Sequence, residues 1–175
     1  ALAITGAADG SDIDITLGTI TASNANVDAL GALGNQDGIT QITATVDDVE
    51  ASHITRIDGT DGYGSSSKYQ ITYNIKAGEA AISIANANIL AGATGKSGGA
   101  AIDFGTAGIS ASTTSLLNSN SDGASAALTA VTGKDSNVNI GISDTVEDAT
   151  EILALNLADT NTAGDVTGTV QTTAT

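Results

Sequence analysis

The clearest alternation of apolar and polar residues lies in Lys68 to Ala85, which reads KYQITYNIKAGEAAISIA. Because successive side chains of a strand point to opposite faces, this alternation predicts a half-buried β-strand. After the small residues Ala77 and Gly78 the alternation resumes, which predicts a hairpin across a short glycine-containing loop. The apolar residues of the two predicted strands are Tyr69, Ile71, Tyr73, Ile75, Ala80, Ile82 and Ile84.

The same two-residue period recurs along the rest of the chain. Segments rich in Gly, Asp, Asn and Ser separate the alternating runs and predict turns. Further strands are predicted at Ile13–Leu17, Ile39–Val49, Ser52–Ile57, Ile102–Phe104, Ala127–Val131, Asn137–Ile142 and Leu153–Leu157. A last strand is anchored by Val166 and Val170 and is predicted to end near Thr173.

Helical signals are few. Thr21 to Gln36 fits either a helical turn or a long loop, and Asp144 with Glu147 three residues later resembles the start of a short helix. No repeat of fixed period is strong enough to indicate a solenoid. The pattern therefore predicts an all-β fold, an antiparallel β-sandwich of the immunoglobulin-like or jelly-roll-like kind, with about nine short strands and at most one short helix.

At 175 residues the chain fits a single core. Residues 1–20 hold two short apolar runs on a flexible lead, and residues 21–175 are expected to form the sandwich. A terminal strand of this kind can pair with its own sheet or with that of a neighbouring subunit. The residues expected at such a subunit interface are Leu2, Ile4, Ile13, Ile15 and Leu17.

The charge and composition of the chain limit the classes of binding partner and the location that we expect. The formal net charge is −15, which disfavours nucleic acid and anionic membrane surfaces because both would repel the chain. No run of 18 apolar residues occurs, so membrane insertion is not expected. The chain has no cysteine, and its wealth of Gly, Ala, Thr and Asn is typical of exported fibres and adhesins. We therefore expect an extracellular location at the cell surface.

Acidic residues also raise the hypothesis of calcium binding at the ends of the fold. Calcium prefers six to eight oxygen ligands, which carboxylates and loop carbonyls supply. No other cofactor is expected. The carboxylates that could take part are Asp9, Asp12 and Asp14, then Asp47, Asp48 and Glu50, and finally Asp58 and Asp61.

Other motifs favour ordinary surface structure over catalysis. The Gly95 to Ser97 run resembles the end of a phosphate-binding loop, but its first glycine is replaced by Leu90 and no helix is expected to follow. The run from Asn118 to Gly123 resembles the start of a calcium loop and lacks the acidic residue that should close it. His53 is the only histidine. We therefore do not expect an enzyme.

The closing stretch, ILALNLADTNTAGDVTGTVQTTAT, is similar to the last two strands of secreted bacterial and archaeal surface β-sandwiches, including pilin-like filament subunits joined by strand donation. The resemblance rests on Leu153 to Leu157, the Ala163 to Asp165 turn, and Val166 to Val170. It implies a sandwich that polymerises with copies of itself. The composition also resembles the outer domains of flagellins, without their terminal helices.

The resulting expectation is a structural subunit of an extracellular filament or surface layer that assembles head to tail. The alternatives are an adhesin or carbohydrate-binding module, which would use loops such as Asp58 to Ser67, or an excised flagellin outer domain. The sequence contains no N-linked glycosylation sequon, whereas its many Ser and Thr residues could carry O-linked glycans.

Overall fold

A computed structural model describes residues 12–59, 68–95 and 100–171, in which strands alternate with helices. The strands are β1 (Ile13–Thr21), β2 (Ile39–Val49), β3 (Tyr69–Ile75), β4 (Ile82–Ser83), β5 (Ile102–Asp103), β6 (Ile109–Ala111), β7 (Ile140–Val146) and β8 (Val166–Val170). The helices are α1 (Asn24–Gly34), α2 (Ala51–Gly59), α3 (Ile84–Ala93), α4 (Thr113–Leu116), α5 (Ala126–Thr132) and α6 (Ala149–Asn161).

The prediction of an antiparallel all-β sandwich is wrong. The eight strands of the described residues form two all-parallel sheets, and 36% of the structure is helical. Two neighbouring parallel strands cannot be joined by a tight turn. After each strand the chain must return to the end of the sheet at which that strand began. Each of these connections contains a helix, which accounts for the helices that the alternation did not predict.

The chain divides into two compact units. Unit 1 comprises residues 1–77 and 89–103, and unit 2 comprises residues 78–88 and 104–175, so that the division falls within α3. Each unit contains one sheet of four strands. The proposed boundary between a terminal arm, 1–20, and the remaining chain stays a prediction.

Unit 1 has the strand order β1-β2-β3-β5, which is also the order of the chain. Alternate residues of β2 are buried, and these are Ile42, Ala44 and Val46. The same register holds Tyr69, Ile71 and Tyr73 of β3, each at most 1% exposed. Helix α1 contacts both α2 and β2. The aromatic and β-branched residues of one sheet face, together with the helices, therefore form the core of this unit.

Unit 2 repeats this plan with the order β4-β6-β7-β8. Ile82, Ile109, Ile140 and Val166 lie opposite one another in adjacent strands and form a continuous apolar row. Helix α6 contacts β7, β8, α4 and α5. In both units successive strands of a sheet begin 26 to 33 residues apart. The structure is thus repetitive at a varying interval, and a search for a fixed period does not detect it.

The predicted hairpin at Lys68 to Ala85 is also wrong. Its first half is a strand, β3, but it pairs in parallel with β2 and β5. Its second half contributes only Ile82 and Ser83 to the sheet of unit 2 before helix α3 begins. Gly78, with φ +83°, does provide the predicted turn. The turn connects a strand of one sheet to a strand of the other, whereas a hairpin turn would connect two strands of the same sheet.

Three predicted strands are helices. Ser52–Ile57 lies in α2, Ala127–Val131 in α5 and Leu153–Leu157 in α6. The last of these overturns the resemblance to the closing strands of surface sandwiches. In α6 the buried side chains are Ala154 and Ala158, four residues apart, whereas the alternating leucines are half-exposed. The small residues face the core here, which the pattern of large residues did not reveal.

The start of α6 lies four residues later than predicted. Its N-cap is Asp148, whose side chain accepts hydrogen bonds from the N–H groups of Thr150 and Glu151, at 2.8 and 2.9 Å. Glu151 accepts from the N–H of Asp148 in return and completes the capping box. The predicted cap, Asp144, instead lies in β7.

Other elements match the sequence analysis. Ile39–Val49 is a strand with the predicted bounds, and the predicted last strand is β8, whose end at Val170 lies before the predicted end near Thr173. Thr21 to Gln36, for which a helical turn or a loop was predicted, contains α1, capped by the hydroxyl of Ser23 accepting from Asn26 N. The predicted strand at Asn137–Ile142 is β7, displaced by a few residues.

Candidate functional site

The sheet of unit 1 has a polar face opposite its core. Thr16 of β1 lies opposite Thr43 of β2, and Thr43 lies opposite Gln70 of β3. A second row runs through Thr19, Thr45 and Thr72, which lie two residues further along β2 and β3 and three residues further along β1. Because side chains alternate along each strand, all six point away from the face that carries the isoleucines of the same strands. The result is a surface of hydroxyl and amide groups.

A shallow concavity of about 310 Å³ lies on this polar face. Between Thr16 and Thr19 the pairing of β1 with β2 shifts, so that Leu17 and Gly18 occupy the space of a single partner residue. Gly18 has no side chain to fill the surface at that point. The lining residues are Leu17, Gly18, Thr19, Thr43, Ala44, Thr45, Gln70 and Thr72.

Hydrogen bonds between side chains order the polar face around the concavity. Gln41 Nε2 donates to Gln70 Oε1 at 3.1 Å and to Thr43 Oγ1 at 3.2 Å. At the far end of the strands, Asn74 Nδ2 donates to Asp47 Oδ1 at 2.6 Å. The bonds of Gln41 to Gln70 and of Asn74 to Asp47 cross between β2 and β3, so they support the register of the sheet as well as its polar surface.

Unit 2 presents a second, smaller polar row. Ser83, Ser110, Gly141 and Thr167 lie opposite one another in adjacent strands, next to the apolar row of this unit. Thr145 and Thr169 continue the polar positions towards the ends of β7 and β8. Small residues dominate this face, so it offers fewer contacts than the face of unit 1.

The third feature is the pair of longer edge strands, β1 and β8, since the other edge strands, β5 and β4, have only two residues each. Among the described residues, β1 pairs with β2 only and β8 pairs with β7 only. Their other edges carry N–H and C=O groups that point away from the sheet. Such groups form hydrogen bonds with an added strand more readily than any other part of a sheet surface.

The predicted calcium ligands are not gathered into one site. No three His, Cys, Asp or Glu residues of the described ranges lie close enough together to hold a metal ion. Asp12 is exposed, and Asp14 accepts a hydrogen bond of 2.8 Å from Thr40 Oγ1. Asp9, Asp61 and the side chain of Asp58 lie outside the described part of the chain. Calcium sites that involve them stay predictions.

The acidic cluster at the end of β2 is divided among different partners. Asp47 accepts from Asn74, whereas Glu50 forms an ion pair with Lys76. The hydrogen bond and charge of Lys76 lower the pKa of Glu50. Asp48, exposed and at φ +57°, lies where β2 and β3 shift in register. The cluster therefore closes the strand and connects β2 to the segment that follows β3.

His53 has a structural position in α2. It is 9% exposed, and its Nδ1 accepts a hydrogen bond of 3.1 Å from the backbone N–H of Glu50. This bond satisfies an N–H at the start of the helix, in the way that a capping side chain does.

Of the two further motifs, the run from Asn118 to Gly123 is a turn. Asn118 Oδ1 accepts from the N–H groups of Asn120 and Asp122, and Asn118 Nδ2 donates to Asp122 Oδ1 at 2.9 Å. The oxygens that would bind calcium are thus used within the loop. Gly95 forms an isolated antiparallel bridge with Gln70, and the two residues after it lie outside the described ranges.

Of the predicted interface residues, Ile13, Ile15 and Leu17 lie in β1, which pairs with β2 of the same chain. Leu2 and Ile4 lie outside the described ranges. An exchanged β1 would make the same hydrogen bonds with a neighbouring β2, so exchange of this strand stays a prediction.

Two environments change the acid–base behaviour of buried or bonded groups. Burial raises the pKa of Tyr69 to about 12, and its hydroxyl donates to the carbonyl of Gly31 at 3.2 Å. Desolvation acts to raise the pKa of Asp144, but hydrogen bonds from the backbone and hydroxyl of Thr113 outweigh it and lower the pKa. Both groups join a strand to a helix or helix start, so their role is structural.

The threonine rows were missed by the sequence analysis, although a signal exists. A pattern of β-branched residue, Thr, small residue, Thr, β-branched residue occurs in β2 as ITATV and in β8 as VTGTV. A search for a shared strand motif could have found both. A pattern of large apolar residues alone does not reveal either motif.

Comparison with protein-family models finds no match, and comparisons with curated proteins and with solved structures find none either. None of the described helices is long and apolar enough to cross a membrane. The functional interpretation therefore depends on the geometry of the sheets.

Proposed function

We propose that the chain is a structural subunit of an extracellular filament or surface layer. One observation carries this proposal: in each unit the strands are parallel and adjacent in chain order, so the sheet grows in one direction and ends at an open edge. A sheet of this kind is extended by each strand added to its edge, as in repeat proteins.

The charge supports an assembly that depends on solution conditions. At −15, copies of the chain repel one another, and salt screens this repulsion over a distance of about 8 to 10 Å at physiological ionic strength. Assembly should therefore strengthen as salt is added. The absence of cysteine means that disulfides cannot stabilise such a polymer, so edge pairing and apolar contacts must hold it.

The second candidate is a binding module, and the concavity on the polar face of unit 1 favours it. Threonine hydroxyls and the Gln70 amide line about 310 Å³ with groups that donate and accept hydrogen bonds. A neutral, polyhydroxylated ligand such as a carbohydrate matches these groups. Both functions suit a surface protein, but only the first requires self-association.

Light scattering over a range of protein and salt concentrations, with electron micrographs of the same samples, tests the proposal. We expect the mean mass to rise with both concentrations and elongated particles to appear. A constant monomeric mass at all concentrations would contradict the structural function. If a monomer also binds a soluble glycan, the second candidate replaces the first.

A further inference from the structure

We propose that β8 of one chain pairs in parallel with β1 of a second copy of the same chain. The inference rests on the proposed function and names the contact that would build the polymer. The two edges differ, so each copy uses one edge to accept a neighbour and the other to extend, which gives an open head-to-tail assembly.

The two edge strands share a motif with a strand that already pairs in this way. β8 reads VTGTV, and β2, the established partner of β1, contains ITATV at Ile42 to Val46. β1 contains ITLGTI at Ile15 to Ile20, which is the same pattern with one additional residue. The proposed pair β8–β1 thus joins two sequences of the kind that β1–β2 already joins within the chain.

The phase of a strand is defined here by which of its alternate residues direct their backbone N–H and C=O groups to the outer edge. The phase of β8 suits the proposed contact. In a parallel pair the N–H and C=O of one residue point to the same edge, and those of the next residue point to the other. Asp165 accepts from β7 and Gln171 donates to β7, so the odd-numbered residues face inwards. The residues of β8 that face the outer edge are therefore Val166, Gly168 and Val170.

The backbone of β1 has the matching phase. Ile13 and Ala22 both donate to the β2 side, to Gly38 and Asp47. Since one is odd and the other even, the irregularity between Thr16 and Thr19 must shift the alternation by one residue. The residues of β1 that face its outer edge are therefore Asp14, Thr16, Thr19 and Thr21.

These phases allow registers that differ by two residues, and we select the one that places the irregularity of β1 opposite Gly168. A residue that faces the partner must lie opposite a residue that faces away from it. The additional residue of β1 then lies opposite Gly168, which has no side chain. The resulting pairs, with the residue of β8 first, are Val166 with Ile15, Thr167 with Thr16, Thr169 with Thr19, and Val170 with Ile20.

The same register matches the two faces of the sheets. The valines of β8 lie next to the apolar rows of β7, because Val166 is opposite Ile140 and Val170 is opposite Val146. In the proposed contact they meet isoleucines on the core face of β1. On the polar face, Thr167 and Thr169 extend the threonine rows of the next copy. The paired valines and isoleucines thus all lie on the core face, and none of them is exposed to solvent on the polar face.

Both edges leave apolar surface that a neighbour would cover. Val170, at 47%, and Ile152, at 52%, are the exposed large hydrophobic residues of the described ranges, and both lie on the last helix and strand of unit 2. At the other edge, Ile15 and Ile20 of β1 are half-buried, whereas their partners Ile42 and Val46 of β2 are at most 2% exposed.

The edges also lack the usual protection against strand addition. Natural edge strands are often protected by lysine, proline or inward-pointing charges. β8 has no charged residue and no proline, and Asp14 is the single charged residue of β1. Together with the matched phase, this identifies a second copy of the chain as the partner.

The test uses engineered cysteines. Because the chain has no cysteine of its own, every cross-link must involve an introduced thiol. In the variant carrying both Thr19→Cys and Thr169→Cys, the proposed register places the two thiols of neighbouring copies in adjacent strands, about 4.8 Å apart between backbones. A short thiol cross-linker applied to the assembled protein should give a ladder of covalent dimers, trimers and longer chains. Mass spectrometry of a mixture of isotopically labelled and unlabelled chains identifies links between different copies.

The matched control carries Thr19→Cys and Thr106→Cys, since Thr106 is exposed in a turn and belongs to neither edge strand. It should assemble equally and form at least tenfold fewer intermolecular links. If the edge variant assembles but cross-links no better than the control, the β8–β1 contact is wrong and the proposed structural function stands. If wild-type protein does not assemble at all, both are wrong.

Discussion

Units 1 and 2 contain the same kind of parallel sheet but differ in the lengths of their strands and in the contacts that stabilise them. Unit 1 uses long strands, with β1 of 9 residues and β2 of 11, and fills its core with fully buried tyrosines and isoleucines. Unit 2 uses strands of 2, 3, 7 and 5 residues, and its buried Phe104, Ile82 and Ile109 are accompanied by close approaches between backbone segments and by three capped helices. One topology can therefore combine side-chain volume and backbone fit in different proportions.

The backbone fit of unit 2 is visible at its glycines. A Cβ on Gly164 would lie 2.4 Å from the carbonyl oxygen of Asn137, and one on Gly108 would lie 2.1 Å from that of Asn139. In unit 1 the close approach at Gly34 is to the Tyr69 hydroxyl, a side chain. Substitutions should therefore distinguish the two units.

The largest effect should come from the side-chain volume of unit 1. Tyr73 is fully buried, and Tyr73→Ala removes a ring from the centre of the sheet. We expect a loss of about 3 to 5 kcal/mol in the free energy of unfolding, measured by urea denaturation. The control Thr72→Ala alters the neighbouring polar face and should cost less than about 1 kcal/mol. Equal losses would contradict the assigned core face.

The next effect should come from the backbone of unit 2. Gly108 and Gly78 both have positive φ, at +63° and +83°, but only Gly108 also lacks space for a Cβ. Gly78→Ala should cost about 1 to 2 kcal/mol because of conformation alone. Gly108→Ala should cost about 1 to 3 kcal/mol more because the strand must move. Equal melting temperatures of the two variants would show that the approach to Asn139 is not needed.

A smaller loss is expected from the start of α6. Asp148→Ala removes the acceptor for two backbone N–H groups, which should cost about 1 kcal/mol in thermal or urea unfolding. Asp148→Asn, which keeps an acceptor oxygen, should recover most of that loss. If both variants unfold alike, the cap does not contribute through its hydrogen bonds.

The smallest effect depends on pH. The folded pKa of Asp144 lies below its ordinary value of 3.8, so its contribution to stability is complete above that value and disappears as the pH falls through the folded pKa. Asp144→Asn should therefore lower the urea midpoint at pH 7 and have a smaller effect at pH 3. The exposed Asp159→Asn serves as control. A difference that is unchanged between the two pH values would contradict this role.

The sequence analysis succeeded where a strand is long and buried on one face. Ile39–Val49 alternates over its full length, so its period is unambiguous. It failed where alanine carries the buried face, because Ala154 and Ala158 give little apolar signal beside Leu153, Leu155 and Leu157. It also assumed that short glycine turns join neighbouring strands, whereas parallel pairing depends on the longer returns between them.

The candidate site was harder to predict than the fold. Threonine is polar and common in turns, so its rows were not recognised on a sheet face. The acidic residues attracted attention, but Asp47 and Glu50 are paired with Asn74 and Lys76. Edge strands cannot be identified from a single sequence, because the order of strands depends on contacts between distant segments.

The central claim, that assembly uses two different edges, is tested most directly by blocking one edge at a time. Thr16→Pro places a ring on the outer edge of β1, and Val170→Pro places one on the outer edge of β8; neither removes an N–H that bonds within the sheet. Circular dichroism confirms that each variant is folded.

Analytical ultracentrifugation then compares each variant with a 1:1 mixture of the two. Each variant alone should be monomeric, and the mixture should form dimers and nothing larger, because each molecule retains one intact edge and the two intact edges are complementary. Polymers formed by either variant alone, or a mixture that remains monomeric while wild-type protein polymerises, would contradict the account.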